Sequence, residues 1–254
     1  MAGKIHPPDR MAPDSKVKSL DLLVEKLRKA FGPELVSVIL HGSAATGDHQ
    51  AKFSDLNVLC VLRAVTPSQL AAAEPVFHWW RGQGNPAPLL LSESELATSA
   101  DSFALEFHDI QRHHRILQGT DVVSGLVIDD RFYRAQVEHD LRTKLIRLRQ
   151  KAAGVLSDKD ALRALLADSV STFCTLFRHA LILRGDEEHG SKRGVIEAAQ
   201  RHFGIDATPF RTLLDLRENL IKAKDVDPNL ILGKCLNEIG KVIAAVDHLK
   251  QGEN

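Results

Sequence analysis

Two short apolar runs constrain this chain more than any other feature: residues 35–40 (Leu-Val-Ser-Val-Ile-Leu) and 58–62 (Val-Leu-Cys-Val-Leu). Each is short, rich in β-branched residues and bounded by turn residues, which predicts two buried strands. The first runs into His41-Gly42-Ser43, and the second is opened by Ser54-Asp55-Leu56-Asn57. In an extended strand, residues i and i+2 lie on one face. Asp55 and Asn57 therefore point together at whatever the Gly-Ser turn holds.

Around this pair the first half of the chain alternates helix and strand signals. Ser15 caps a predicted helix with Val17, Leu20, Val24, Leu27 and Phe31 at three- and four-residue spacing, stopped by Gly32-Pro33. Thr66-Pro67 opens a second helix to about Trp80, with Pro75 expected to kink it or end it early. Leu89-Leu90-Leu91 reads as a third strand, followed by a Ser92/Glu95 capping box. Phe103, Leu105 and Phe107 alternate with Ala104, Glu106 and His108, which predicts a half-buried strand, and residues 115–117 suggest another.

From Asp130 onward the pattern is helical. Five helices are expected: one to about Ala153, one from Ser157 to Gly185, one ending at Gly204, and two opening at Thr208-Pro209 and Asp227-Pro228. Consecutive helices joined by short turns imply a bundle. The organisation read from the sequence is a tail at 1–14, a mixed α and β domain at 15–128, and a helical bundle domain at 129–254.

Composition narrows the function. Lys+Arg and Asp+Glu are equal at 33 each in 254 residues, whereas a nucleic-acid binder usually has a basic surplus. Nucleic acid is therefore disfavoured as the main partner. No apolar run approaches the roughly 20 residues that span a bilayer, and the polar, proline-containing N-terminus lacks the apolar core of a secretory signal. Cys60, Cys174 and Cys235 are far apart and sit in apolar stretches, which reads as buried free thiols in a reducing cytoplasm.

The chemistry that fits Gly42-Ser43 and Asp55-x-Asn57 is phosphate binding next to a metal. A glycine turn lets backbone N–H groups approach phosphate, and a following helical turn adds partial positive charge. Magnesium takes oxygen ligands, usually carboxylates plus substrate phosphates. The segment resembles the nucleotidyltransferases of the DNA polymerase beta superfamily, in which Gly-Ser is followed after a short spacer by Asp-x-Asp. The resemblance covers residues 15–128, and the helical second half resembles the aminoglycoside and minimal members of the superfamily by architecture.

That resemblance implies an α+β fold, with a small mixed sheet, flanking helices and a following bundle. It implies transfer of a nucleoside monophosphate from an NTP to a hydroxyl on a small molecule or protein. Gly42 and Ser43 would hold the nucleotide, and Asp55 and Asn57 would contact Mg. The third carboxylate of the superfamily comes from another strand. Glu106 is the candidate for a base or third ligand, since it faces away from Phe103, Leu105 and Phe107. The alternative alignment, with the strand at 88–91, offers no acid. Asn57 stands where the family has its second Asp, and an amide brings no charge, so Mg binding would be weak or absent and catalysis impaired. The alternative function is a pseudoenzyme that binds nucleotide or a protein partner; a homodimer is compatible with either.

Three further features have bland readings. His108, His113 and His114 read as exposed polar positions, Trp79-Trp80 as packing, and the Arg134/His139 and Arg184/His189 spacings as chance. The first bundle helix also carries a basic side: Arg142, Lys144, Arg147, Arg149 and Lys151. A solvated face is the simpler reading of that run; a role in neutralising phosphate is the sharper one.

Overall fold

The computed structural model describes residues 13–45, 56–128, 132–186 and 191–249. They fall into two compact units, one within residues 1–129 and one within 130–254.

The first unit is built on a four-stranded mixed sheet. Strands β1 (Leu35–His41), β2 (Asn57–Leu62), β3 (Leu89–Ser92) and β4 (His114–Gly119) lie in the order β3-β2-β1-β4. β1 pairs antiparallel with β2 and β4, and β2 pairs parallel with β3. Alternation divides the central strands between two cores. Val38, Leu40, Val58, Cys60 and Leu62 face helices α1 (Pro13–Phe31) and α2 (Pro67–Gly82). Ile39, Leu59, Val61 and Ile116 face α3 (Glu93–Thr98) and α4 (Ala104–Arg112), meeting Leu96, Phe107 and Ile110. A sheet covered on both faces must present apolar side chains both ways, which is why the strand sequences read as unbroken apolar runs.

Helix α1 buries Leu20, Leu23, Leu27 and Phe31, and Val17 is exposed. Helix α2 continues through Pro75 to Gly82, so Pro75 does not end it early. Trp80 is fully buried in the first core, and Lys26 lies 5.1 Å from the Trp79 ring. The Ser92/Glu95 capping box forms: Ser92 Oγ accepts from Glu95 N at 3.1 Å, and Glu95 Oε2 accepts from Ser92 N at 2.8 Å.

The strand expected over 103–108 is a helix. In α4 the buried residues are Ala104, Leu105, Phe107 and Ile110, while Phe103 is 52% exposed. The three-residue spacing of Ala104, Phe107 and Ile110 is helical, and it outweighs an alternation that lasts only a few positions. Gln111 then ties α4 to the loop after β4, donating from Nε2 to Val123 O and Leu126 O at 2.9 and 2.8 Å.

The second unit is helical: α5 (Tyr133–Ala153), α6 (Lys159–Ile182), α7 (Lys192–Phe203), α8 (Thr208–Arg217) and α9 (Pro228–Asp247). Helix α6 packs against α5, α7, α8 and α9, which explains its burial of Leu162, Leu166, Val170, Phe173, Phe177 and Leu181. Its cap is Asp158, whose side chain accepts from Asp160 N and Ala161 N. The expected stripe on α5, Leu141, Leu145, Leu148 and Ala152, is buried. Tyr133 and His179 form a buried 2.7 Å hydrogen bond between α5 and α6. Burial pushes the thiols of Cys60, Cys174 and Cys235 up to about 12. No described helix is long and apolar enough to cross a membrane.

Candidate functional site

The sheet positions Gly42 and Asn57 side by side. Asn57 opens β2 and pairs with His41, the last residue of β1. Gly42 follows with φ at +74°, a left-handed conformation that disfavours any side chain. A Cβ placed on Gly42 would lie 3.4 Å from Asn57 Nδ2. The turn over Gly42–Ala44 is a 3-10 turn closed by Ala45 N donating to Gly42 O at 2.9 Å. The N–H of Gly42 itself donates to His113 O at 3.0 Å. Gly42 therefore contributes the chain reversal, and its own N–H is already engaged within the fold.

Asp55 lies outside the described residues. Asn57 supplies an amide with both a donor and an acceptor. On one side, its strand neighbour is β3, where Leu59 pairs with Leu89 and Cys60 with Leu90. Continuing that register by two residues sets Ala87 beside Asn57, and β3 itself, Leu89 to Ser92, bears no carboxylate. Glu106 occupies the first turn of α4 and is exposed. The alternation that aimed it at the site does not exist in a helix. It also lies two turns, about 10 Å, from the end of α4 that reaches Gly42.

That end of α4 brings other groups in. His41 pairs with His114 as well as with Asn57, so the three form one row across the sheet. Cross-strand partners share a face, and Ile39 and Ile116 place this face on the α4 side. Burial lowers the pKa of His41, and nearby Asp109 of α4 opposes the shift. His114 is held by α4: its Nδ1 donates to Ile110 O and Gln111 O, both at 3.1 Å. Its Nε2 stands 3.5 Å from Asp121 Oδ2. Asp121 accepts from Val123 N and Ser124 N at 3.0 Å and from Ser124 Oγ at 2.6 Å. These bonds, led by those from Ser124, hold its carboxyl well below the usual carboxylate range.

Sequence reading missed His41 and Asp109. The signal for His41 was its place directly before Gly42. Asp109 becomes visible only once 104–112 is read as a helix, because it then sits one turn from the C-terminal end. His113 caps α4 and does not belong to a strand.

Among the described residues, no group of three or more His, Cys, Asp or Glu side chains is placed to hold a metal ion. Among the described residues beside the Gly42 turn, Asn57 brings no charge and β3 brings no carboxylate, so these residues alone do not make a two-metal site.

The basic side of α5 is partly engaged. Arg142 pairs with Glu138 at 2.7 Å and Asp247 at 3.5 Å. Arg147, Arg149 and Lys151 are exposed. Arg134 pairs with Glu138 at 2.9 Å. Arg184 lies over the Phe203 ring at 5.8 Å, and His189 is outside the described residues.

A small mixed sheet with flanking helices, a Gly-Ser turn at the end of β1, a polar residue opening β2 and a helical second unit together make a nucleotidyltransferase-like fold. A solved structure of spectinomycin adenyltransferase AAD(9) from Enterococcus faecialis, with ATP and spectinomycin, has that fold. It superposes with a TM-score of 0.57 at 13% identity, over 88% of this chain and 99% of that one. No family model and no curated protein matches the chain.

Proposed function

We propose that this chain binds a nucleoside triphosphate at the Gly42 turn, and that transfer of the nucleoside monophosphate is strongly attenuated. The carrying observation is the position of Asn57, whose Nδ2 is 3.4 Å from the place of a Gly42 Cβ. A carboxylate there repels phosphate unless a cation lies between them. An amide donates a hydrogen bond to a phosphate oxygen directly. Replacing Asp with Asn thus turns a metal-requiring position into a phosphate donor. The resemblance to nucleotidyltransferases and the ATP in the AAD(9) structure support the choice of nucleotide.

In this reading Gly42 sets the turn, Ser43 and Ala44 offer N–H groups, Asn57 donates from the side, and the bundle is a separate domain. Mg binding at Asp55 and Asn57 is weak. A second reading is an active transferase acting on a hydroxyl acceptor, favoured by Asp109, a carboxylate that α4 brings to His41. Calorimetric titration of each NTP with and without Mg separates the two. Binding that survives chelation supports the first reading. Binding that requires Mg and is accompanied by pyrophosphate release overturns it in favour of the second. No binding of any NTP removes both.

A further inference from the structure

The bundle contains a cation cluster that the nucleotide reading does not use. On α6, Ala167, Ser171, Cys174 and Arg178 follow at three- and four-residue spacing and form one stripe. Lys192, the first residue of α7, lies against that stripe and donates from Nζ to Ser171 Oγ at 2.9 Å. Arg217, the last residue of α8, donates from Nη1 to Ala167 O at 3.1 Å. Their acceptors, Ser171 and Ala167, are one turn apart on α6, so the two cations reach the same stretch of the stripe; burial, Arg217 and Arg178 lower the pKa of Lys192, and Cys174 and Glu218 oppose the shift.

The neighbouring carboxylates are already engaged. Arg193 Nη2 pairs with Asp215 Oδ1 at 2.7 Å and with Glu218 Oε2 at 2.6 Å. Helix α7 also starts here, with Ser191 Oγ accepting from Gly194 N at 3.1 Å, and its N-terminal partial charge adds to the cluster. A half-buried ammonium, guanidinium groups beside it and a hydroxyl on one stripe suit a doubly charged oxyanion, because charge-assisted bonds to phosphate are strong and Arg matches its geometry.

We propose that Lys192, Arg217 and Ser171 form an anion site for the phosphate group of a small phosphomonoester. The site does not depend on nucleotide binding at Gly42. The test uses the full chain with inorganic phosphate and glycerol phosphate as probes, against chloride at equal ionic strength. Both probes are expected to raise the melting temperature and to shift the amide resonances of Ser171 and Gly194. Lys192→Met and Arg217→Gln should weaken binding at least about tenfold.

Without phosphate, Lys192→Met should melt no lower than the parent, because it removes a crowded charge; a purely structural lysine would melt lower. If Lys192→Met does not fold, Arg217→Gln, at an exposed position, carries the test. The proposal is overturned if neither probe stabilises beyond chloride, or if both variants respond like the parent. Response to inorganic phosphate alone overturns the monoester assignment. Loss of the response in Gly42→Ala would place the anion at the turn and overturn it too.

Discussion

Substituting Gly42 separates the conformational role of the turn from its binding role. Its φ of +74° is left-handed, which costs an alanine about 1–2 kcal/mol. The new Cβ would stand 3.4 Å from Asn57 Nδ2, an ordinary contact, so no steric term is added. Gly42→Ala should therefore lower stability by about 1–2 kcal/mol, with Tm falling about 3–6 °C per kcal/mol for a unit of this size. Gly42→Asn should fall between, because asparagine enters the left-handed region more readily.

Both tryptophans, Trp79 and Trp80, belong to the first unit, so their fluorescence follows its unfolding separately from the bundle. ATP binding should drop at least about tenfold in both variants, since either side chain occupies the space through which phosphate approaches the backbone. If alanine is as stable as glycine, the left-handed turn is wrong. If both variants fold and bind ATP like the parent, the turn does not hold phosphate.

Gly119 gives a harsher case: a Cβ there would lie 2.0 Å from Val36 O, inside the β1–β4 pairing. Gly119→Ala should cost about 3 kcal/mol or more by the same fluorescence assay. Asn57→Asp adds a charged hard ligand beside Asp55, so calorimetry should show tighter Mg binding and ATP binding that becomes Mg-dependent; unchanged Mg affinity in the folded variant would refute a decayed metal site. His41 has a lowered pKa in the folded state, so the unfolded chain binds more protons as pH falls. Stability should be full above the ordinary value of 6.5 and decline as pH drops through it toward the folded value. His41→Gln should flatten that decline in denaturant titrations; an equal slope would show that another group causes it.

Local chemistry determined much of this protein. The strands at 35–40 and 58–62, the Ser92/Glu95 box, the Gly204 helix end and the α5 stripe follow from apolar period, capping and turn residues, which act within a few positions. The nearness of Gly42 to Asn57 was legible for the same reason: a turn ends one strand and a polar residue begins the next. Tertiary structure decided the rest. Alternation at 103–108 is a strand pattern too short to decide, and the fold made a helix there by burying Phe107 and Ile110 in the second core, with Ala104 buried on the same stripe. That choice moved Glu106 onto an exposed first turn and brought Asp109 to His41, which no spacing in the chain encodes. The cluster of Lys192, Arg217 and Ser171 likewise exists only because α7 and α8 pack on one stripe of α6. Short-range period sets which face of an element is apolar; which charges meet depends on contacts made many residues apart.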